Sequence, residues 1–167
     1  MAAKGNKKRH QKSESVKLLE SIALEKLKER YPNNPFLPKV TYTDANTNGL
    51  TKCVIDYIKF KGYHAERINS TGAMRDNRKT STDVLGNVRT IGSVQWIKGN
   101  TQAGTSDISA TIKGQTVKIE IKCEATGDRH QSKGQIEYQR QIEQAGGTYL
   151  IVRNFENFCT WFNEFTK

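Results

Sequence analysis

A single stretch decides the fold of this chain: residues 107–123, which read DISATIKGQTVKIEIKC. Apolar side chains occupy alternate positions in both of its halves: Ile108, Ala110, Ile112, Val117, Ile119, Ile121 and Cys123. Alternation of this kind is typical of half-buried strands, and a Lys-Gly pair between two such runs is typical of a two-residue turn. The stretch therefore predicts a β-hairpin with one apolar face and one polar face.

The turn sets which residues face each other across the hairpin. With Lys113 and Gly114 as the turn residues, Asp107 lies opposite Glu120 on the polar face, with Cβ atoms roughly 5 Å apart. Lys122 projects from the same face, because side chains two residues apart in a strand point the same way. A turn longer by two residues would place Asp107 opposite Lys122, still on that face.

The two acids and the lysine suit metal-assisted hydrolysis of phosphodiesters. Carboxylates this close repel each other unless a cation lies between them. Mg²⁺ and Mn²⁺ prefer carboxylate oxygens, leave room for water and phosphate, and stabilise charge on the phosphate. A nearby ammonium can orient water or balance that charge. The alternative is an ordinary solvated face, on which Asp107 and Glu120 pair with Lys118 and Lys122.

Predicted elements on both sides of the hairpin complete a small α/β domain. A helix that ends at Gly62 and a strand over 63–69 precede it. A helix over about 132–145, a strand over 148–152 and a last helix capped by Asn154 follow it. From residue 46 onward the predicted order is helix, three strands, helix, strand, helix.

The residues before this domain divide into two predicted segments. Residues 1–12 contain five basic residues and no acid, which predicts a disordered basic arm. Residues 13–45 form an appended helix, over 13–30, and a linker, and we expect this helix to lie outside the main core. Residues 46–167 then form the main domain.

Residues 70–105 are rich in Gly, Ser, Thr, Asn and Arg, which predicts a long irregular segment with one strand within 88–97. Its basic residues make it a candidate substrate-binding loop, and a flexible insert is the alternative. Trp96 within it is either a core residue or a platform for base stacking. The candidate nucleic-acid-binding residues are Arg75, Arg78, Lys79, Arg89 and Lys98.

Composition narrows the class of partner. The chain has 27 basic and 17 acidic residues, a formal net charge of +10, which favours a polyanion such as nucleic acid over a plain solvated surface or an anionic membrane. No apolar run approaches the length of a membrane span, and no signal peptide begins the chain. Three scattered cysteines predict a reducing, cytoplasmic compartment. Phosphate-loop, nucleophile-elbow and dinucleotide signatures do not occur.

Two groups of residues resemble a known nuclease superfamily. Gly104-Thr105-Ser106-Asp107, followed after the hairpin by Glu120-Ile121-Lys122, resembles the bipartite motif of the PD-(D/E)XK nucleases. The downstream residues 132–135, 145–147 and 149–153 are most similar to the VRR-NUC branch, found in phages and mobile elements. The resemblance covers roughly residues 46–165.

This resemblance implies a restriction-endonuclease-like αβββαβ core with a mixed central sheet flanked by helices, here carrying an N-terminal helix and a basic arm. It implies Asp107 and Glu120 as ligands of Mg²⁺ or Mn²⁺, Lys122 as the catalytic lysine and Gln135 as a further catalytic residue. The implied activity is endonucleolytic cleavage of branched, nicked or single-stranded DNA, compatible with a homodimer and, for a phage protein, with the host bacterial cytoplasm.

The sequence departs from the family pattern at two positions. Ser106 stands where proline usually precedes the aspartate. The first helix lacks the acid that the family carries near its start, and Asn48 stands there instead. Glu66, on the next strand, is a candidate to replace that acid. A single metal, or an inactive protein that only binds nucleic acid, is therefore an alternative, as are an RNA-directed nuclease and an adaptor for an acidic protein.

Gln135 has a structural alternative as well, a capping box with Ser132.

Overall fold

The computed structural model describes residues 11–69, 72–97, 99 and 102–167, so most of the predicted basic arm lies outside the described residues. Within these ranges, no helix is both long and apolar enough to cross a membrane. The elements, in chain order, are α1 (Glu14–Arg30), α2 (Thr47–Phe60), β1 (His64–Arg67), β2 (Ala73–Asp76), β3 (Lys79–Thr82), β4 (Val88–Ile91), β5 (Val94–Ile97), β6 (Ile108–Ile112), β7 (Gln115–Ile121), a short 3₁₀ helix (Glu124–Thr126), α3 (Lys133–Gln144), β8 (Thr148–Val152) and α4 (Phe155–Phe165).

The central sheet has four strands in the order β1-β6-β7-β8. β6 is antiparallel to β1 and to β7, whereas β8 is parallel to β7. Parallel neighbours need a crossover connection, and α3 supplies it between β7 and β8. The fold is therefore mixed α/β, a four-stranded mixed sheet flanked by helices, as the sequence predicts.

The hairpin register agrees with the prediction. Ile112 pairs with Gln115, and the ladder continues to Ile108 opposite Ile119. Lys113 and Gly114 form the turn, with φ angles of +51° and +78°. Positive φ at both central positions is the geometry that matches the twist of two antiparallel strands, and the glycine adopts it without steric cost.

The apolar face of the sheet packs against α2 and α4. Tyr57 of α2 meets three rings of α4 edge-on, with centroid distances of 5.7 Å to Phe155, 6.1 Å to Phe158 and 5.2 Å to Phe162. Asn154 caps α4, as predicted, by accepting a hydrogen bond from the backbone N–H of Asn157 at 2.9 Å. The three buried cysteines are unpaired thiols.

The helix α1 belongs to this same core, so the expectation that it lies outside the core is wrong. Val16 and Leu19 are fully buried and join the cluster formed by α2, α4 and the sheet. The physical reason is that an amphipathic helix must cover its apolar stripe, and the neighbouring helices offer the available apolar surface. The backbone N–H of Tyr42, in the linker, also donates to Glu20 of α1 at 2.7 Å.

Residues 73–97 form a two-stranded ribbon, so the prediction of an irregular segment with one strand is wrong. β2 pairs with β5, and β3 pairs with β4, in two successive antiparallel pairs. The strands are separated at Gly92, where a Cβ atom would overlap the carbonyl oxygen of Asn77. Side chains on both faces of the ribbon are exposed. A ribbon that buries neither face needs no alternation of apolar and polar residues, which is the signal that sequence patterns rely on.

Candidate active site

The hairpin brings two carboxylates together. Asp107 immediately precedes β6, and continuing the ladder places it opposite Glu120 of β7. Its Oδ2 accepts a hydrogen bond from the backbone N–H of Ile121 at 2.9 Å. Burial, and after it the negative charge of Asp107, raise the pKa of the Glu120 carboxyl to about 7, against the opposing effect of the Lys122 ammonium. The two acids are therefore electrostatically coupled, as the register predicts.

Glu120 is 3 % exposed, although the sequence places it on the polar face of the hairpin. The reason is that α3 covers this part of the sheet. Oε1 of Glu120 accepts a hydrogen bond from Nε2 of Gln135 in α3. Oε2 of Glu120 is buried and receives no hydrogen bond from any described residue. A buried acceptor without a partner costs about 1–3 kcal/mol, so this oxygen favours a bound cation or a proton.

Lys122 is also buried, at 7 % exposure, and it faces two acids. Its Nζ lies 3.6 Å from Oε1 of Glu120 and 3.2 Å and 3.3 Å from the two carboxylate oxygens of Asp128. Its backbone N–H donates to the carbonyl of Val152 at 2.8 Å, which anchors the end of β7 to β8. The lysine is thus held at Glu120 by a fixed backbone and a second carboxylate.

Asp128 is a site residue that sequence reasoning misses. It lies in the loop between the 3₁₀ helix and α3, and its side chain is about half exposed. No strand or helix period relates it to Glu120, so no pattern assigns it to the site. The one available signal is its acidity, in a loop that must pass close to the end of β7 before α3 begins.

Gln135 combines the two roles that the sequence leaves as alternatives. Its backbone N–H donates to Oγ of Ser132 at 3.3 Å, and its side-chain oxygen accepts from the backbone N–H of Ser132 at 2.8 Å. These two bonds are the predicted capping box at the start of α3. The remaining donor, Nε2, is the one that reaches Glu120.

The loop before Asp107 packs closely against the first turn of α3. Gly104 has a φ of +82°, and a Cβ atom there would overlap the carbonyl of Gly134 and lie 2.6 Å from the backbone nitrogen of Gln135. Nε2 of Gln102 also donates to Oε1 of Gln141 at 2.9 Å. This close approach brings Asp107, just before β6, and the cap of α3 to one end of the sheet.

Apart from Asp128, which pairs with Lys122, the described residues place no third acid beside Asp107 and Glu120 to hold a metal ion. Asn48 of α2 accepts a hydrogen bond from Nη2 of Arg67 at 3.0 Å. Glu66 pairs in register with Ser109, on the face that carries Asp107, but its side chain is exposed. Within the part of the chain that the structure describes, no group of three or more His, Cys, Asp or Glu side chains could hold a metal ion. The suggestion that Glu66 replaces the missing acid of the first helix is therefore not supported.

The solvated-face alternative holds for one of its two lysines. Lys122 does pair with Glu120, as that alternative requires. Lys118 instead donates to Oγ of Ser109 at 2.7 Å. The burial of Glu120 and Lys122 distinguishes this cluster from ordinary charges on a solvated face.

Four of the predicted nucleic-acid-binding residues lie on the ribbon: Arg75, Arg78, Lys79 and Arg89. The fifth, Lys98, lies outside the described residues. Arg78 makes a two-pronged ion pair with Asp76, with its Nε at 2.9 Å and its Nη2 at 2.7 Å from the carboxylate oxygens. Arg75, Lys79 and Arg89 form no ion pair with any described residue. The ribbon strands pair with one another and not with the central sheet, so the described hydrogen bonds do not bring these cations to Glu120.

Comparison with known proteins returns no relative. No family model matches the chain. No curated protein and no solved structure matches it either. The resemblance to the PD-(D/E)XK nucleases therefore stays a prediction, which depends on the residues themselves.

Proposed function

We propose that this chain is a divalent-metal-dependent nuclease of the PD-(D/E)XK type, on the VRR-NUC branch, that hydrolyses DNA phosphodiester bonds. The observation that carries the proposal is the environment of Glu120. This carboxylate is buried opposite Asp107, lies 3.6 Å from the ammonium of Lys122, and keeps one oxygen without a hydrogen bond among the described residues. The αβββαβ order of α2, the sheet strands and α3 agrees with the core that this class requires.

The donor set fits a hard divalent cation. Asp107 and Glu120 offer oxygen ligands only, and Mg²⁺ is commonly held by one or two carboxylates together with water and substrate phosphate. A cation between the two acids would relieve their repulsion and give the free Oε2 of Glu120 a partner. When bound, Mg²⁺ or Mn²⁺ supplies Lewis acidity toward a phosphate oxygen and toward water.

The surrounding residues have separate tasks in this proposal. Lys122 presents a buried ammonium that can donate to the attacking water or to the phosphate as its negative charge grows. Gln135 fixes the orientation of Glu120 through Nε2. A donor that is already oriented costs no reorganisation during the reaction, which is why these positions matter more than a surface lysine or glutamine would.

An inactive protein that binds nucleic acid through the same fold is the second candidate. Two observations favour it. Among the described residues, no third acid lies with Asp107 and Glu120 where a metal ion could be held. Asn48, at the position of the missing acid, is hydrogen-bonded to Arg67. The net charge of +10 supports nucleic acid as the partner in both cases. A homodimer would present two such sites to the strands of a symmetric junction.

The test is cleavage of supercoiled plasmid, single-stranded DNA, a four-way junction and single-stranded RNA, each with Mg²⁺, Mn²⁺ or EDTA. The active-site variant is Glu120→Gln, and the matched control is Glu25→Gln, an exposed glutamate of α1. We expect metal-dependent cleavage of DNA that Glu120→Gln loses and Glu25→Gln keeps. DNA binding without cleavage in any metal would overturn the nuclease and leave the inactive binding protein, while cleavage of RNA alone would overturn the substrate.

A further inference from the structure

The ribbon exposes one of the two tryptophans of the chain. Trp96 of β5 is 63 % exposed and stands opposite Met74 of β2, which is 69 % exposed. The other tryptophan, Trp161, is half-buried and stacks on Phe165 with a centroid distance of 4.8 Å. A large aromatic ring is normally used to fill a core, so the exposure of Trp96 calls for a role outside the core.

The indole of Trp96 lies close to the backbone of Gly72. A Cβ atom at Gly72 would lie 2.7 Å from both Cε2 and Nε1 of the indole and would overlap the carbonyl oxygen of Ile97. The indole therefore packs near the Gly72 backbone in space that any side chain at position 72 would occupy. An aromatic ring that packs near the backbone while 63 % of the residue stays exposed offers a surface on which another flat ring can stack.

The charges of the ribbon favour a polyanion as the source of that ring. Both acids of the ribbon are occupied, because Asp76 pairs with Arg78 and Asp83 accepts hydrogen bonds within the turn from Leu85 and Asn87. Three cations, in contrast, have no ion-pair partner among the described residues: Arg75, Lys79 and Arg89.

Two of these cations share a face of the ribbon. Lys79 is two residues from Ser81, which pairs with Arg89, so Lys79 and Arg89 project from the same side. Their charges can follow a phosphate backbone that runs along the ribbon.

We propose that Trp96 is a stacking platform for an unpaired base of the substrate, and that the free cations of the ribbon bind phosphates elsewhere along the same strand, Arg75 from the opposite face of the ribbon. The proposal rests on the nuclease function for the identity of the substrate and names its class: DNA that carries unpaired bases, such as a single strand, a flap or an opened junction. Bases inside a duplex are covered by their neighbours, whereas an unpaired base offers a free face, and stacking on an aromatic side chain contributes about 1–3 kcal/mol per base.

The experiment measures binding in EDTA, so that its outcome does not depend on cleavage. Fluorescence anisotropy compares a labelled oligothymidine of about 20 nucleotides with a duplex of the same length, for the full chain and for Trp96→Ala, Trp96→Phe and Trp161→Phe. We expect Trp96→Ala to weaken binding of the single strand by about 5- to 150-fold, the range that corresponds to one stacked base, and to change duplex binding less than about twofold. Trp96→Phe should retain most of the affinity, because a smaller ring can still stack.

Tryptophan emission gives a direct reading of the contact. Trp161→Phe leaves Trp96 as the sole tryptophan of the sequence, and oligothymidine should quench its emission. Trp96→Phe leaves Trp161, whose emission should not respond. Because Trp96 is exposed, the circular dichroism and melting temperature of both Trp96 variants should match those of the unaltered chain.

Three outcomes would overturn the proposal: equal loss of single-strand and duplex binding in Trp96→Ala, unchanged single-strand binding in that variant, or unquenched Trp96 emission on a bound single strand. Quenching by phosphatidylserine vesicles in place of oligothymidine would overturn it as well and would assign the ribbon to a membrane surface. The protein could bind single strands selectively through Trp96 and still cleave no substrate. That result would support the stacking role of Trp96 and contradict only the proposed nuclease activity.

Discussion

The side chain of Gln135 joins the start of α3 to the buried carboxylate of Glu120. Its oxygen accepts a hydrogen bond from the backbone N–H of Ser132 at 2.8 Å, and its Nε2 donates to Oε1 of Glu120. One residue therefore caps the helix and orients the carboxylate at the same time. The position of Glu120 depends on a helix cap, and the two roles can be separated by mutation.

Gln135→Ala and Ser132→Ala form a matched pair for this separation. Each removes one half of the capping box, so each should lower the free energy of unfolding by about 0.5–2 kcal/mol. Gln135→Ala alone frees Glu120, and we expect it to reduce cleavage at least about tenfold, the equivalent of about 1.4 kcal/mol. Ser132→Ala should stay within about twofold of the unaltered chain. Equal loss of cleavage in the two variants would mean that Gln135 acts through the helix alone.

Lys122→Met tests the buried ammonium, and the matched control is Lys118→Met, four residues earlier in β7 and on the same face. Lys118 bonds to Ser109 and not to Glu120, so its removal should leave cleavage nearly unchanged. Lys122→Met should lower cleavage at least about 100-fold, because it removes an oriented donor next to the carboxylates. It should also destabilise the fold more at pH 8 than at pH 6, since Glu120 then loses its compensating charge. Single-turnover cleavage and urea unfolding at both pH values measure these effects.

The raised pKa of Glu120 makes stability depend on pH in a defined direction. The carboxyl has a pKa near 4.5 in the unfolded chain and about 7 in the folded one, so the folded state binds the extra proton between these values. The free energy of unfolding should therefore fall by about 1–3 kcal/mol as pH rises from 4.5 through 7 in EDTA. Urea unfolding at several pH values checks this, with Glu120→Gln expected to lack that part of the slope.

Magnesium should reverse the sign of this dependence. A cation binds the ionised carboxylates, so added Mg²⁺ should raise the melting temperature more at pH 8 than at pH 6. Glu120→Gln should abolish most of that increase. If added Mg²⁺ leaves the melting temperature unchanged at every pH, the assignment of Asp107 and Glu120 as metal ligands is contradicted.

Gly104→Ala tests the close approach between the loop before Asp107 and the start of α3. Gly62→Ala is the matched control, since Gly62 has a similar φ of +85° but open space where a Cβ atom would lie. Both variants should show the cost of a left-handed alanine, about 1 kcal/mol. Gly104→Ala should lose more than that, because its Cβ also collides with the backbone of Gly134, and it should lower cleavage by displacing Gln135. Equal melting temperatures for the two variants would show that the loop moves away without cost.

The sequence by itself determined the centre of the site, because the relevant forces are local. A two-residue turn at Lys113-Gly114 and a strict two-residue alternation leave one register, and that register places Asp107 opposite Glu120. The helix caps at Ser132 and Asn154 could be predicted for the same reason, since a cap involves residues only three positions apart.

Only the tertiary structure decided what surrounds that centre. The apolar stripe of α1 could be seen in the sequence, but not that α2 and α4 would bury it. The ribbon buries neither of its faces, so it leaves no hydrophobic period to detect. Gln135 of α3 contacts the buried Glu120, and Lys122 contacts Asp128 in a loop. The numbers of residues that separate these partners along the chain follow no strand or helix period. Such contacts follow from how the elements pack and from where the loops return, and neither is encoded in the spacing of residues along one strand or helix.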